Sequence, residues 1–265
     1  MIKNKRGFTL GEVVVTIGII GVVAALTIPQ IAKYNSSITN GAAVSRGVQA
    51  IETGLANVFA IAQKRTSDNN AGLTNSISAL KVKDILDETS DKETYLTKGT
   101  QLFGLTRGIM GTKDISSKST YLTSIRNYND NNAALDNSQR TNALALCFGK
   151  NKFIVITLPI DDAQITTYLS KNTSYTDLPS DAVIEKIYID ANGTDNPNRL
   201  GQDVFLFGLT DSGKMVPAGS QAYNNNIFNE TIPLYTTACN KTTVTDARAC
   251  SARLVHDNWK IKYNK

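Results

Sequence analysis

From Phe8 to Ile28 the chain runs apolar for 21 residues and carries one charge, Glu12. As a helix this run is about 31 Å long, enough to cross the hydrocarbon core of a bilayer. Lys3, Lys5 and Arg6 precede it, and such a basic flank stays on the cytoplasmic side. A carboxylate inside an apolar helix costs about 2.5 kcal/mol or more in a bilayer. Three readings therefore compete. A secretory signal peptide fits the basic start, with small residues for cleavage at Val22-Val23-Ala24 and a mature chain beginning near Ala25. A plain signal anchor also fits. Neither gains anything from Glu12. The third is a segment whose carboxylate meets a positive group when copies assemble.

Composition narrows the choice little. Charged residues are 19% of the chain, below the usual share of about a quarter. Asn, Thr and Ser fill much of the gap, which suits a surface outside the cytoplasm. The net charge is +5. Three of the 28 basic side chains lie ahead of Gly7; without them 25 would face 23 acidic ones. The basic balance is thus no nucleic-acid footprint, and no basic stripe with interleaved aromatics occurs. Cys147, Cys239 and Cys250 have no zinc-ligand spacing. Cys239 and Cys250 could close a short loop in an oxidising compartment, leaving Cys147 over; three reduced thiols are the alternative.

The segment Gly7-Phe8-Thr9-Leu10-Gly11-Glu12 resembles the prepilin peptidase site of type IV pilins and type II secretion pseudopilins. The resemblance implies cleavage after Gly7 and N-methylation of the new terminus, Phe8. It implies pairing of Glu12 with the N-terminal ammonium of a neighbouring subunit. Pro29, 22nd counting from Phe8, matches the family's mid-helix proline. Gly11 departs from the family's preference for a larger apolar residue. Opposite charges brought together in a dry filament core attract strongly, and pairing them fixes axial register. Pro29 removes an amide donor and crowds the preceding turn, so a kink, a loosening or a plain helix end is expected there.

Beyond Pro29 an amphipathic helix resumes, with Val44, Val48, Ile51, Leu55, Val58 and Ala62 at spacings of three and four. Gly41, Gly47 and Gly54 weaken it locally. Residues 65–75 read as a polar connector, 77–86 as a short helix, 96–110 as local structure, and 128–140 as an Asn/Asp-rich loop. Strands are expected over 143–148, 153–158, 182–190 and 203–209, the last turning at Asp211-Ser212-Gly213 into 214–217. The fold class is α+β: a long N-terminal helix on an antiparallel sheet, as the resemblance also implies. The tail from Ser220 to Lys265 looks like the family's C-terminal region, which a disulfide often closes.

Between the third and fourth strands, Asp190, Asn192, Asp195 and Asp203 offer oxygen ligands suited to calcium. Some pseudopilins hold calcium in a loop of this region, but the spacing is not that of an EF-hand. The competing reading is a turn in which Asp and Asn bond their own backbone. Gly208-Leu-Thr-Asp-Ser-Gly-Lys-Met215 nearly matches a P-loop but ends in Met215 and leads into a strand, so it reads as a hairpin turn. His256 is the single histidine, and no HExxH, nucleophile elbow or dinucleotide fingerprint occurs. Asn-x-Ser/Thr triplets such as Asn172-Thr-Ser matter only where eukaryotic glycosylation exists.

The expected organisation is a leader over 1–7, a membrane and filament-core helix over 8–29, and an extracytoplasmic head over 30–265. The expected function is structural, not enzymatic: a subunit of a type IV pilus or a secretion pseudopilus. Its partners would be copies of itself, other pilins, the prepilin peptidase and methylase, and an inner-membrane assembly platform. The precursor would be a single-pass inner-membrane protein with a cytoplasmic N-terminus. The alternative is an extracytoplasmic binding module or enzyme that uses 8–28 only as an anchor.

Overall fold

A computed structural model describes residues 9–69, 112–114, 118–148, 153–159, 181–227 and 230–263. The expected helix over 77–86 and the stretch at 96–110 lie outside them. One helix, α1, runs from Leu10 to Asn69, about 90 Å at 1.5 Å per residue. It does not end at Pro29. The missing amide there leaves the Ala25 carbonyl without its usual helical donor. Arg65 to Asn69 belong to α1 rather than to a connector. Polar composition alone does not stop a helix, and neither Gly nor Pro occurs between Leu55 and Ala71.

The sheet has six antiparallel strands in sequence order. They are β1 (Thr112–Asp114), β2 (Leu144–Phe148), β3 (Phe153–Pro159), β4 (Val183–Asp190), β5 (Val204–Thr210) and β6 (Met215–Pro217). Of these, β1 was not expected: three residues, Thr-Lys-Asp, carry no strand pattern of their own. β5 is buried at every position, so both its faces are covered, which explains its unbroken apolar run. α1 packs on β3 and β4 through Val44, Val48, Ile51 and Leu55, all buried. Glu52 Oε1 accepts the Met215 amide at 2.9 Å, tying α1 to the edge strand β6.

Short helices complete the head: α2 (Lys118–Ser124), α3 (Asn137–Asn142), α4 (Gln221–Asn226), α5 (Tyr235–Ala238) and α6 (Cys250–His256). The start of α3 falls where a loop was expected. Asp136 caps it in a reciprocal box: its carboxylate accepts from the Gln139 amide at 2.7 Å, and Gln139 Oε1 accepts the Asp136 amide at 2.9 Å. The tail helices α4 and α6 pack on β6 and β5.

Gly41 is a docking point rather than a weak one. A Cβ there would lie 1.9 Å from the Trp259 carbonyl oxygen. The absent side chain lets α1 press directly on the tail backbone.

Candidate functional site

The amino-terminal part of α1 is bare. From Leu10 to Ile31 every Val, Leu and Ile side chain is exposed. Leu10 is 82% and Leu26 67% exposed, against 0% for Val44 and Ile51 lower on the same helix. The head takes hold at Asn40, whose Nδ2 donates to the Gln202 carbonyl, and at Gly41. An exposed aliphatic surface of this length is unstable in water, so it belongs in a bilayer or against other helices.

Glu12 is not idle within its own chain. The Thr9 amide and hydroxyl donate to Glu12 Oε2 at 2.8 and 2.9 Å, and the Glu12 amide donates to Thr9 Oγ1 at 3.3 Å. Thr9-x-x-Glu12 is a capping box that satisfies the first helical amides and lowers the cost of carrying the carboxylate. Thr9 was missed in the sequence reading, although Thr followed by Glu three places on is a readable signature. Gly7 and Phe8 lie outside the described residues. Pro29 lies in the exposed part of α1.

The loop from Asp190 to Asp203 closes the far end of β4. Both carboxylates are fully buried. Asp190 Oδ1 accepts the Asn192 and Gly193 amides at 3.1 and 3.0 Å, and Oδ2 accepts the Tyr121 hydroxyl at 2.6 Å. Asp203 accepts the Asn198 and Arg199 amides at 2.8 and 2.6 Å. Burial pushes the Asp190 carboxyl well above the usual range, and the nearby Asp203 charge adds to this. Burial also raises Asp203, against the opposing pull of the Arg199 and Asn198 amides.

Of the four expected ligands, Asp190 and Asp203 come together. Asn192 stands beside them with a buried, unpartnered Oδ1, and the Asp195 side chain is exposed. Asn198, 3% exposed, turns the same loop with a φ of 47°. Among the described residues no three His, Cys, Asp or Glu side chains converge.

The tail closes around this loop. Cys239 and Cys250 form a disulfide with Cα atoms 5.2 Å apart, both buried. A Cβ on Gly201, whose φ is +75°, would stand 3.2 Å from Cys250 Sγ. The loop therefore rests on the bridge. The Cys147 side chain lies outside what is described. His256 stacks obliquely on Tyr235 and contacts Asp257 at 3.2 Å, with no nucleophile among these contacts. Residues 208–215 form the β5–β6 hairpin turn, with Gly213 at φ +81°.

Residues 2–28 match the model of the prokaryotic N-terminal methylation motif. This is the prepilin-type signal of type IV pilins and pseudopilins, and it marks pilin-type structural proteins. The chain thus joins that signal to an α+β body whose long helix and antiparallel sheet are consistent with a pilin-like fold. No curated protein and no solved structure matches the chain.

Proposed function

We propose that the protein is a structural subunit of an extracytoplasmic filament, a type IV pilus or a secretion pseudopilus. The observation that carries the reading is the coincidence of the methylation motif with the bare part of α1. On this reading the precursor sits in the inner membrane with residues 1–7 in the cytoplasm. A prepilin peptidase cuts after Gly7 and Phe8 is methylated. An assembly platform then moves subunits from the lipid into a fibre, where Leu10 to Ile31 pack against copies of themselves and other pilins.

Glu12 changes partners on the way. In the precursor it is held by Thr9. In the fibre the ammonium of a neighbouring Phe8 offers a full opposite charge in a dry setting, a stronger partner than an amide and a hydroxyl. The head, tied to α1 from Asn40 onward, forms the fibre surface and plays no enzymatic part.

Replacing Glu12 with Leu tests this. The variant inserts in the membrane at least as well as the wild type, because it loses an intramembrane charge. It is expected to vanish from the sheared-fibre fraction in which the wild type appears. Incorporation at wild-type levels would remove the assigned role of Glu12, and absence of the wild type itself from fibres would favour a plain anchor.

A further inference from the structure

From Cys250 to Lys265 the sequence sets Arg253, His256, Lys260, Lys262 and Lys265 against one acid, Asp257. Asp257 is buried and accepts from Arg253 Nε at 2.8 Å, so its charge is spent inside the head. Asn258 and Trp259 then turn the chain out of α6 with φ of 54° and 59°. A bulky residue in that left-handed region is a genuine outlier. The turn has a clear result. Trp259, Ile261 and Tyr263 pack against the core, while Lys260 and Lys262 between them are exposed. Neither lysine enters an ion pair among the described residues.

This run lies at the end of the head nearest the bare part of α1. Gly41 is the first buried residue of α1 among those described, and the Trp259 carbonyl occupies the place of its absent side chain. The next residue is Lys260. Ten positions separate Gly41 from Ile31, where the bare run ends, or about 15 Å along the helix. The headgroup layer of a bilayer takes about 5–7 Å of that span. The remaining gap, about 8–10 Å, is one Debye length at physiological ionic strength. A tilt of about 20°, usual for a membrane helix, lowers one side of the head further.

We propose that Lys260 and Lys262 bind anionic phospholipid headgroups on the extracytoplasmic surface of the membrane that holds α1. The proposal rests on the membrane-embedded precursor of the functional reading above, and not on fibre formation. Lipid phosphates complement the two ammonium groups. Trp259, held by its stack on Phe207, adds an amphipathic ring of the kind that favours the water–lipid boundary. The contact favours the head-down arrangement by about fivefold for each lysine that reaches the surface. It orients the head on the membrane and is given up when the subunit leaves the lipid.

Full-length protein is reconstituted in vesicles of phosphatidylcholine, alone or mixed with phosphatidylglycerol, each doped with a dansyl-labelled headgroup. Energy transfer from Trp259, the single tryptophan, reports how close this end of the head lies to the surface. Transfer is expected to be higher in the anionic vesicles and to fall to the neutral level in about 1 M salt, where the Debye length is about 3 Å. Replacing both lysines, Lys260→Gln with Lys262→Gln, should abolish the difference without lowering the melting temperature, since both are exposed. Lys214→Gln, at an exposed lysine of the turn at the opposite end of β5, should keep it. A wild type that floats with the vesicles but transfers equally in both lipids overturns the contact and leaves the filament reading standing. A wild type that does not float overturns the membrane span, and the contact with it. A double variant with the full wild-type response overturns the contact alone. Loss of fibres in the double variant, with no lipid response in the wild type, assigns the lysines to a neighbouring head and overturns it equally.

Discussion

Replacing Gly41 with Ala should destabilise the head, although Ala is the better helix former. In an exposed helix the exchange gains about 1 kcal/mol. At Gly41 the new methyl would fall 1.9 Å from the Trp259 carbonyl oxygen and 2.8 Å from its carbon. These are backbone atoms, so no rotamer change relieves the overlap. Trp259 cannot easily retreat: its amide donates to the Leu254 carbonyl at 2.8 Å, and its ring stacks on Phe207 with centroids 6.3 Å apart. α1 must therefore lift from the tail and loosen the buried contacts of Val44 and Val48. Forced overpacking costs about 1–3 kcal/mol, and a clash with fixed backbone belongs at the top of that range. The net loss is about 2 kcal/mol, a fall in Tm of about 4–8 °C for a head of this size. The assay is thermal melting followed by tryptophan fluorescence, since Trp259 is the single tryptophan and stands at the contact. Gly18→Ala is the control: nothing lies within 4 Å of its added Cβ, so head melting should not move. A Gly41→Ala head as stable as the wild type would refute the packing of α1 on the tail.

Two further outcomes follow from the tail. Exchanging both Cys239 and Cys250 for Ser opens a link of sequence separation 11 and should cost about 3 kcal/mol in the chain-entropy account, read as a lower Tm of the oxidised wild type's counterpart under identical conditions. Asp246 is held below the usual carboxylate range, because Arg248 outweighs the opposing effect of burial; its Oδ2 meets Arg248 Nη2 at 2.6 Å. A lowered folded value means that this contribution is present above about pH 3.9 and is lost as the pH falls through the folded value. Arg248→Ala should therefore lower the Tm at neutral pH and flatten its decline below about pH 3.9. An unchanged acid slope would contradict the assignment.

The parts of the fold that could be read from sequence are those where one local rule governs. The apolar run before Pro29 is long enough as a helix to cross a bilayer. The stripe of Val44, Val48, Ile51 and Leu55 repeats at helical spacing, strands β3 to β5 carry β-branched and aromatic runs, and β2 is an apolar run across a short turn from β3. What escaped depends on partners distant in sequence. β1 is a strand only because Thr112 to Asp114 lie beside Leu146 to Phe148. Gly41 resembles a helix-weakening glycine until Trp259 arrives from the other end of the chain. Asp190 meets the Tyr121 hydroxyl, 69 residues away. Two misses were local and readable: Asp136-x-x-Gln139 and Thr9-x-x-Glu12 both spell capping boxes, obscured by a loop-like composition in one case and a membrane segment in the other.

If the chain is a processed filament subunit, its own N-terminus is the most direct witness. Intact mass and N-terminal sequencing of the protein from native envelopes should give a chain that begins at methylated Phe8. A chain that still begins at Met1 would contradict the account and make α1 a simple anchor, while one that begins near Ala25 would make the protein a secreted, filament-free one.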